Sequence, residues 1–376
     1  MRTRLMQCML PLVLAVIAPA CAAQDTSPAG DVDAAPPEPV VVARGLNGPI
    51  GVFVADDGTI YVSDSGMGGE DSLQVPWPGL DEPVTINWGE TARVVRIDPA
   101  GTETVIANLP SLLIPEGPQG TARFAMLDGA LHVASGAWGA VAAERPKNMA
   151  AIVRVADGAV TEFANSWDAE NRLNPEPAHK ESNPFDLTVG PDNALWLTDA
   201  AGNTLYRIDP ATAALELKAV FPAFPGPIPN AARGGAMEIE AVPTAVAFDA
   251  DGNVYVSLLG GLPFLPGSSK VVRVAADGTV SDYATGLTML TDLVTGPDGR
   301  LYGVSIGEFT EQGPTPNSGA VLRIEAGTAS QAILSGLAFP ASIAFTAGGD
   351  AYLTLNAFGD PGTGEVVKYA GLLRMN

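Results

Sequence analysis

The stretch Val242-Pro-Thr-Ala-Val-Ala-Phe-Asp-Ala-Asp-Gly-Asn-Val-Tyr-Val-Ser257, followed after a short loop by Ser269-Lys-Val-Val-Arg-Val-Ala-Ala-Asp-Gly-Thr-Val-Ser-Asp-Tyr-Ala-Thr-Gly-Leu287, decides the architecture. It reads as four short alternating strands joined by two tight Asp-Gly hairpins and one longer loop. A single sheet of this size covers neither of its faces, so it must stack on copies of itself. The chain supplies them. Turn pairs recur at Asp57-Gly58, Asp128-Gly129, Asp192-Asn193, Asp251-Gly252, Asp298-Gly299 and Gly348-Gly349.

Around these turns the offsets are constant. Eight residues earlier stand Pro49, Gly120, Pro184, Pro243, Leu290 and Pro340, and four residues after the first turn residue stand Tyr61, His132, Trp196, Tyr255, Tyr302 and Tyr352. A column aromatic in five of six copies is a packing position between sheets, and His132 is expected to act there as a core side chain. Each copy then carries a third strand ending in a basic residue: Arg96, Arg154, Arg207, Arg273, Arg323 and Lys368. A fourth strand follows the first five only. The segment Val40 to Leu46 resembles the missing one, and an amino-terminal strand that completes the last sheet is how a circular array hides its seam. The expected fold is therefore all-β, a six-bladed β-propeller closed by an N-terminal strand, occupying residues 39–372 as one domain with a short tail at 373–376.

Ahead of it, Arg2 and Arg4 precede an apolar run from Met9 to Ile17 and the small residues Ala18, Ala20, Ala22 and Ala23, the layout of a secretory signal peptide over 1–23. The run is too short to span a bilayer. Ala18-Pro19-Ala20-Cys21 also loosely matches a lipoprotein signal, which would make Cys21 a lipid anchor. Residues 24–38, rich in Pro, Ala and Asp, read as a disordered linker. The expected location is outside the cytoplasm, periplasmic or extracellular. Both cysteines, Cys8 and Cys21, lie in or beside the leader, so the exported domain forms no internal disulfide.

The 376 residues carry a formal charge of −22, which argues against nucleic acid or an anionic membrane as a partner, because both require a basic footprint. In an up-and-down sheet, the loop between strands two and three and the connection to the next sheet emerge at the same end. Here the long segments, 64–91, 136–149, 165–182, 222–241, 258–268 and 306–318, all fall at that end, whereas the other turns are tight pairs. This long-loop face is the expected binding surface for a small molecule or a protein, and a monomer is expected.

Two residues beyond the Pro column stand Gly51, Ala122, Asp186, Ala245, Asp292 and Ser342, small or polar in every copy. One reading is that converging inner strands leave room for nothing larger. The other takes Asp186 and Asp292, helped by Asn183, Glu181, Glu240 and Ser342, as oxygen ligands for Ca²⁺ or Mg²⁺. Trp77, Trp88, Trp138 and Trp167 fall in or next to the long loops, as stacking platforms or as lids over the core. No Gly-x-Ser-x-Gly elbow is present, and His179 is the one histidine outside the aromatic column, hence the single candidate for general acid or base work.

At Asn183-Pro184-Phe185-Asp186, Asp199-Ala200-Ala201-Gly202-Asn203, Val242-Pro243-Thr244 and Gly261-Leu262-Pro263-Phe264-Leu265-Pro266-Gly267, the sequence resembles the ScyD/ScyE family of exported bacterial proteins over roughly 39–370. Gly261 and Leu262 depart from that family's usual Thr-Gly-Phe-Pro-Phe. The resemblance implies an NHL-like propeller outside the cytoplasm and carries no catalytic residues over. More distantly the repeats are similar to gluconolactonase/SMP-30 and virginiamycin B lyase propellers, which implies a metal-dependent lactonase or lyase as the alternative to a binding protein.

Overall fold

The computed structural model describes residues 36–75, 82–114, 117–139, 144–178, 180–310, 313–328 and 330–373. The leader, Cys21, most of the 24–38 segment, Trp77, His179 and the last three residues lie outside these. The described chain is almost entirely β. Its first sheet orders Pro49–Val54, Ile60–Asp64, Val84–Ile97 and Glu103–Ile114 side by side, and the second Thr121–Leu127, Ala130–Ser135, Ala151–Ala156 and Ala159–Asn165. The third holds Pro184–Val189, Leu195–Asp199, Thr204–Ile208 and Leu215–Val220. The fourth and fifth repeat the pattern from Pro243–Phe248 and from Leu290–Thr295. In the last sheet Ile343–Phe345, Ala351–Leu355 and Gly364–Tyr369 are joined by Val40–Leu46, which runs antiparallel to the strand before it with Val40 opposite Lys368 and Leu46 opposite Gly364.

Consecutive sheets bury an apolar cluster between them. Val94 and Leu109 of the first meet Phe124 and Val133 of the second; Ile152 meets Leu187 and Tyr206; Trp196 and Leu205 meet Val246 and Val272. Val271 meets Leu293 and Ile324, and Val321 and Leu334 meet Leu353 and Val367. The last contact is between the two ends of the chain's repeat: Tyr352, Val366 and the amino-terminal Ala43 and Leu46 pack on Val52, Ile60 and Val62 of the first sheet. Alternation within each strand is what makes this possible, since every second side chain faces one neighbour and the intervening ones face the other.

The aromatic column behaves as a packing column. Trp196 lies edge-on to Phe248 at 5.4 Å, Tyr255 to Tyr283 at 4.7 Å and His132 to Phe163 at 4.8 Å. Burial lowers the proton affinity of the His132 ring, which fits its place among apolar neighbours. Three polar tips of the column are satisfied by the turns: Tyr302 Oη donates to Asp298 at 2.8 Å, Tyr255 Oη to Asp249 at 3.0 Å, and Trp196 Nε1 to Asp192 at 3.2 Å. Two basic residues of the third strands also reach acids at the turns, Arg207 on Asp192 and Lys368 on Asp350.

The first long segment is not an irregular loop. Within 64–91, Asp71–Val75 pairs with the early part of Val84–Ile97, so the third strand of the first sheet begins well before its repeat signature and forms an arm. Apolar alternation drives it: Leu73, Val75, Val84, Ile86 and Trp88 gather with Leu112, Trp138, Met149 and Trp167 into a satellite cluster. Trp88, Trp138 and Trp167 are thus lids, and Trp138 is 5% exposed.

The eight-residue helix Ser166–Leu173 is capped by Asn165, whose side chain accepts from the Asp168 N–H. It carries Glu170 inward at 1% exposure with neither carboxyl oxygen hydrogen-bonded to protein. Burial, and secondarily the Asp199 charge, push this carboxyl up to about 8 from an ordinary 4.5. The unfolded chain therefore releases this proton at lower pH than the folded one. Folding stability should fall as pH rises from about 4.5 towards 8, and urea titrations of Glu170→Gln should lack that part of the slope. A second expectation concerns the seam. Leu46→Ala should cost about 2–5 kcal/mol of unfolding free energy, because it empties a site 3% exposed between the first and last sheets, whereas Val41→Ala at 37% exposure should cost well under 1 kcal/mol.

Candidate functional site

The inner strands share a local irregularity that builds the centre. Pairing slips by one residue between Pro49 and Gly51, Pro184 and Asp186, Pro243 and Ala245, and Leu290 and Asp292. Such a bulge re-aims the side chains around it. In the third and fifth sheets the residue turned this way carries an acceptor, Ser342 at the same repeat position of the sixth sheet carries another, and each acceptor reaches the next sheet. Asp186 Oδ2 accepts the Val246 N–H at 2.8 Å, Asp292 Oδ2 accepts the Ile343 N–H at 2.9 Å, and Ser342 Oγ accepts the Val52 N–H at 3.3 Å. The last of these bridges residues 290 apart in sequence, from the final sheet to the first.

In the second sheet the slip extends from Thr121 to Phe124 and directs Arg123 to the centre. Its guanidinium, 5% exposed, gives Nη1 to Thr244 O at 2.7 Å and Nη2 to Ala341 O at 2.7 Å and to Thr291 O. Its Nε lies 3.5 Å from Asp292 Oδ2, and the group stacks 5.1 Å from the Phe185 ring centroid. One side chain of the second sheet thereby touches the other four beyond the first. At the end from which the inner strands start, Ile50, Ala122, Ala134, Ala341 and Ala357 close over it with Phe185.

Beyond Arg123 lies a cavity of about 210 Å³ lined by Val52, Val54, Leu187, Val294 and Phe345, with Arg123, Asp186, Asp292 and Ser342 at its polar end. The lining follows the inner strands towards the tight turns, away from the long connections. Of the five residues expected on the long-loop face, Asp186, Asp292 and Ser342 are brought together, but inside this cavity. Asn183 is elsewhere engaged: its N–H donates to Asp199 Oδ1 at 2.7 Å and its side-chain amide to Gln119 at 2.9 Å. Glu240 is clamped by Arg233 through two 2.7 Å bonds, with Asn230 at 2.8 Å and Asn203 at 2.9 Å. These two hold connections in place.

A divalent ion fits this arrangement poorly. Both oxygens of Asp292 are used, Oδ1 by the Leu293 N–H at 2.8 Å and Oδ2 by Ile343 and Arg123. A hard cation wants six or more oxygens, and a guanidinium stands among those present. Among the described residues, no group of three or more His, Cys, Asp or Glu is placed to hold a metal ion. The Asp186 carboxyl is held well above the usual carboxylate range, chiefly by burial; Arg123 opposes that shift and the Asp292 charge adds to it.

Arg123 is the residue that the repeat columns miss, because it stands one place beyond the Ala122 column. The available signal was a lone arginine inside the otherwise apolar strand Thr121-Ala-Arg-Phe-Ala-Met-Leu127. Arg123→Ala should lower unfolding free energy by about 3–5 kcal/mol, since it strands Asp292 and three buried carbonyls together, and Arg123→Lys should recover only part of this. Chemical denaturation of the two variants measures it.

The family described as SMP-30/Gluconolactonase/LRE-like region matches residues 186–360. No curated protein sequence matches the chain. Among solved structures, the PQQ-bound aldose sugar dehydrogenase of Streptomyces coelicolor is 15% identical with a TM-score of 0.51, covering 89% of this chain and 99% of its own. A luciferin-regenerating enzyme is 11% identical at 0.51, covering 88% and 95%. Virginiamycin B lyase of Staphylococcus aureus is 15% identical at 0.48 and covers 88% and 98%. Identities this low speak to fold alone, and the fold they share with this chain is of the propeller type.

Proposed function

We propose that this chain is an exported six-bladed β-propeller of the ScyD/ScyE type, closed by its amino-terminal strand, that binds an apolar small molecule or partner on its long-loop face. Six consecutive inter-sheet clusters that return to the first sheet, and the pairing of Val40–Leu46 with the final strand, support the blade count and closure. The observation that carries the binding reading is the distribution of exposed apolar side chains. Of ten large apolar side chains among the described residues that expose more than a third of their surface, seven, Met67, Leu113, Leu173, Ile228, Met237, Leu262 and Phe358, stand in or beside the connections at one end of the sheets, while Val40, Val41 and Val105 lie on edge strands. Such a concentration at one end marks an interaction surface. Phe264 and Phe309, 5.5 Å apart, couple two neighbouring connections beneath it.

Titration with the neutral apolar dye Nile red tests this. Saturable fluorescence is expected, and the double variant Leu262→Asp/Phe358→Asp should weaken it at least about tenfold, roughly 1.4 kcal/mol, with the melting temperature little changed because both residues are exposed. Unchanged dye binding by the double variant would count against the face. A second reading, a metal-dependent lactonase or lyase, draws on the family match over 186–360. It requires a saturable rise in melting temperature with Ca²⁺ or Mg²⁺ that chelator reverses.

A further inference from the structure

The cavity beyond Arg123 has more hydrogen-bond donors at its polar end than acceptors left to receive them. Arg123 gives its two terminal nitrogens to the carbonyls of Thr244, Thr291 and Ala341, but its buried Nε–H makes no hydrogen bond, and Asp292 Oδ2 at 3.5 Å balances its charge only. Ser342 Oγ accepts the Val52 N–H at 3.3 Å, and its own O–H finds no acceptor among the described residues. The carboxylate oxygens are engaged: Asp292 Oδ1 takes the Leu293 N–H and Oδ2 the Ile343 N–H, and Asp186 Oδ2 takes the Val246 N–H. Burial holds the Asp186 carboxyl above the usual carboxylate range, towards the neutral form in which it too can donate. A buried donor left without an acceptor is costly, so this end calls for an acceptor. The walls leading from it towards the tight turns, Val54, Leu187, Val294 and Phe345, are apolar, and the lining ends at exposed Thr295.

We propose that this cavity binds a small uncharged ketone, whose oxygen accepts from Arg123 Nε–H and Ser342 O–H and whose hydrocarbon body lies along the apolar walls. A carbonyl oxygen has two lone pairs and no donor of its own, which is what two idle donors among engaged acceptors can serve. A hydroxyl-rich ligand would bring O–H groups that Asp292 is already too occupied to receive. Charge decides the rest. The charged side chains in the lining are Arg123, Asp186 and Asp292; Asp292 matches Arg123, so neither a cation nor an anion finds an unanswered partner. The volume sets the size. At about 30 Å³ per non-hydrogen atom, the share of a water molecule in the liquid, a cavity of about 210 Å³ takes roughly seven, a ketone with about six carbons. The site lies at the opposite end of the centre from the long connections, so it stands or falls independently of the binding face proposed above.

Isothermal titration with cyclohexanone, with cyclohexylammonium chloride and sodium cyclohexanecarboxylate as charged matches, tests the proposal. Expected is one site per chain, at least about tenfold tighter for the ketone than for either ion, with affinity falling as pH rises through neutrality and Asp186 loses its proton. Asp186→Asn, whose amide stays neutral and keeps a donor, should retain the ketone and lose the pH dependence. Arg123→Lys should weaken binding at least about tenfold, and Thr188→Trp, which places bulk in the lining, should abolish it. Should Arg123→Lys not fold, the carbonyl stretch of the ketone bound to the unaltered protein decides, a band below its frequency in hexane reporting the hydrogen bonds. A band at the hexane frequency, tighter binding of either ion, pH dependence that persists in Asp186→Asn, unaltered binding by Thr188→Trp, or no saturable ketone binding because water alone serves these donors would each overturn it.

Discussion

Arg123 is buried where the inner strands converge, and the carbonyls there are arranged to receive its two terminal nitrogens. A guanidinium removed from water is tolerable only if its donors find acceptors, and the planar fork offers several in fixed directions. The fold meets this with carbonyls of Thr244, Thr291 and Ala341, which occupy the same repeat position in three successive sheets. Because the repeat delivers equivalent carbonyls at equivalent heights, one side chain from one sheet can be served by three others. The charge makes the inner ring specific as well as stable: displacing any of these sheets would strand a donor in a region closed from water by Phe185 and Ile50.

The same geometry gives the two buried aspartates different surroundings. Asp292 has the Arg123 Nε at 3.5 Å and the Ile343 and Leu293 amides, so its charge is balanced within the protein. Asp186 performs the same latch to the following sheet through Val246 but meets the guanidinium less directly, and burial prevails. Position in the repeat is shared; surroundings are not, because a single arginine stands beside one of the two aspartates.

Much of the architecture was legible because packing period and turn chemistry leave marks in sequence. Asp-Gly pairs, an aromatic four residues on and a basic residue on the third strand correspond in space to hydrogen bonds such as Tyr302 to Asp298 and ion pairs such as Lys368 to Asp350. Val40–Leu46 could be assigned as a strand because a sheet short of one edge needs it. The centre was less legible. Asp186, Asp292 and Ser342 were recognisable as a column, but which way the two aspartates face depends on a one-residue slip in pairing, and a slip leaves no compositional trace. In the first, fourth and fifth sheets the residue before the slipping strand is left-handed, and glycine marks it only at Gly48; at Val242 and Met289 ordinary side chains adopt φ of +53° and +42°.

The long connections diverge from the repeat for a related reason. A repeat position is constrained by two neighbouring sheets, whereas a connection answers only to what lies beside it. The arm formed by Asp71–Val75 and the start of Val84–Ile97 exists because Leu73, Val75, Ile86 and Trp88 find Leu112, Trp138 and Trp167 on adjacent connections, an agreement between segments that no local pattern records. Glu240 shows the polar version: Arg233, Asn230 and Asn203 converge on it from two different connections. Connections tied down in this way present fixed surfaces. Leu262 and Met237, exposed on a chain with net charge −22, therefore stand on braced backbone, and a surface that keeps its shape while unbound loses less conformational entropy when it binds.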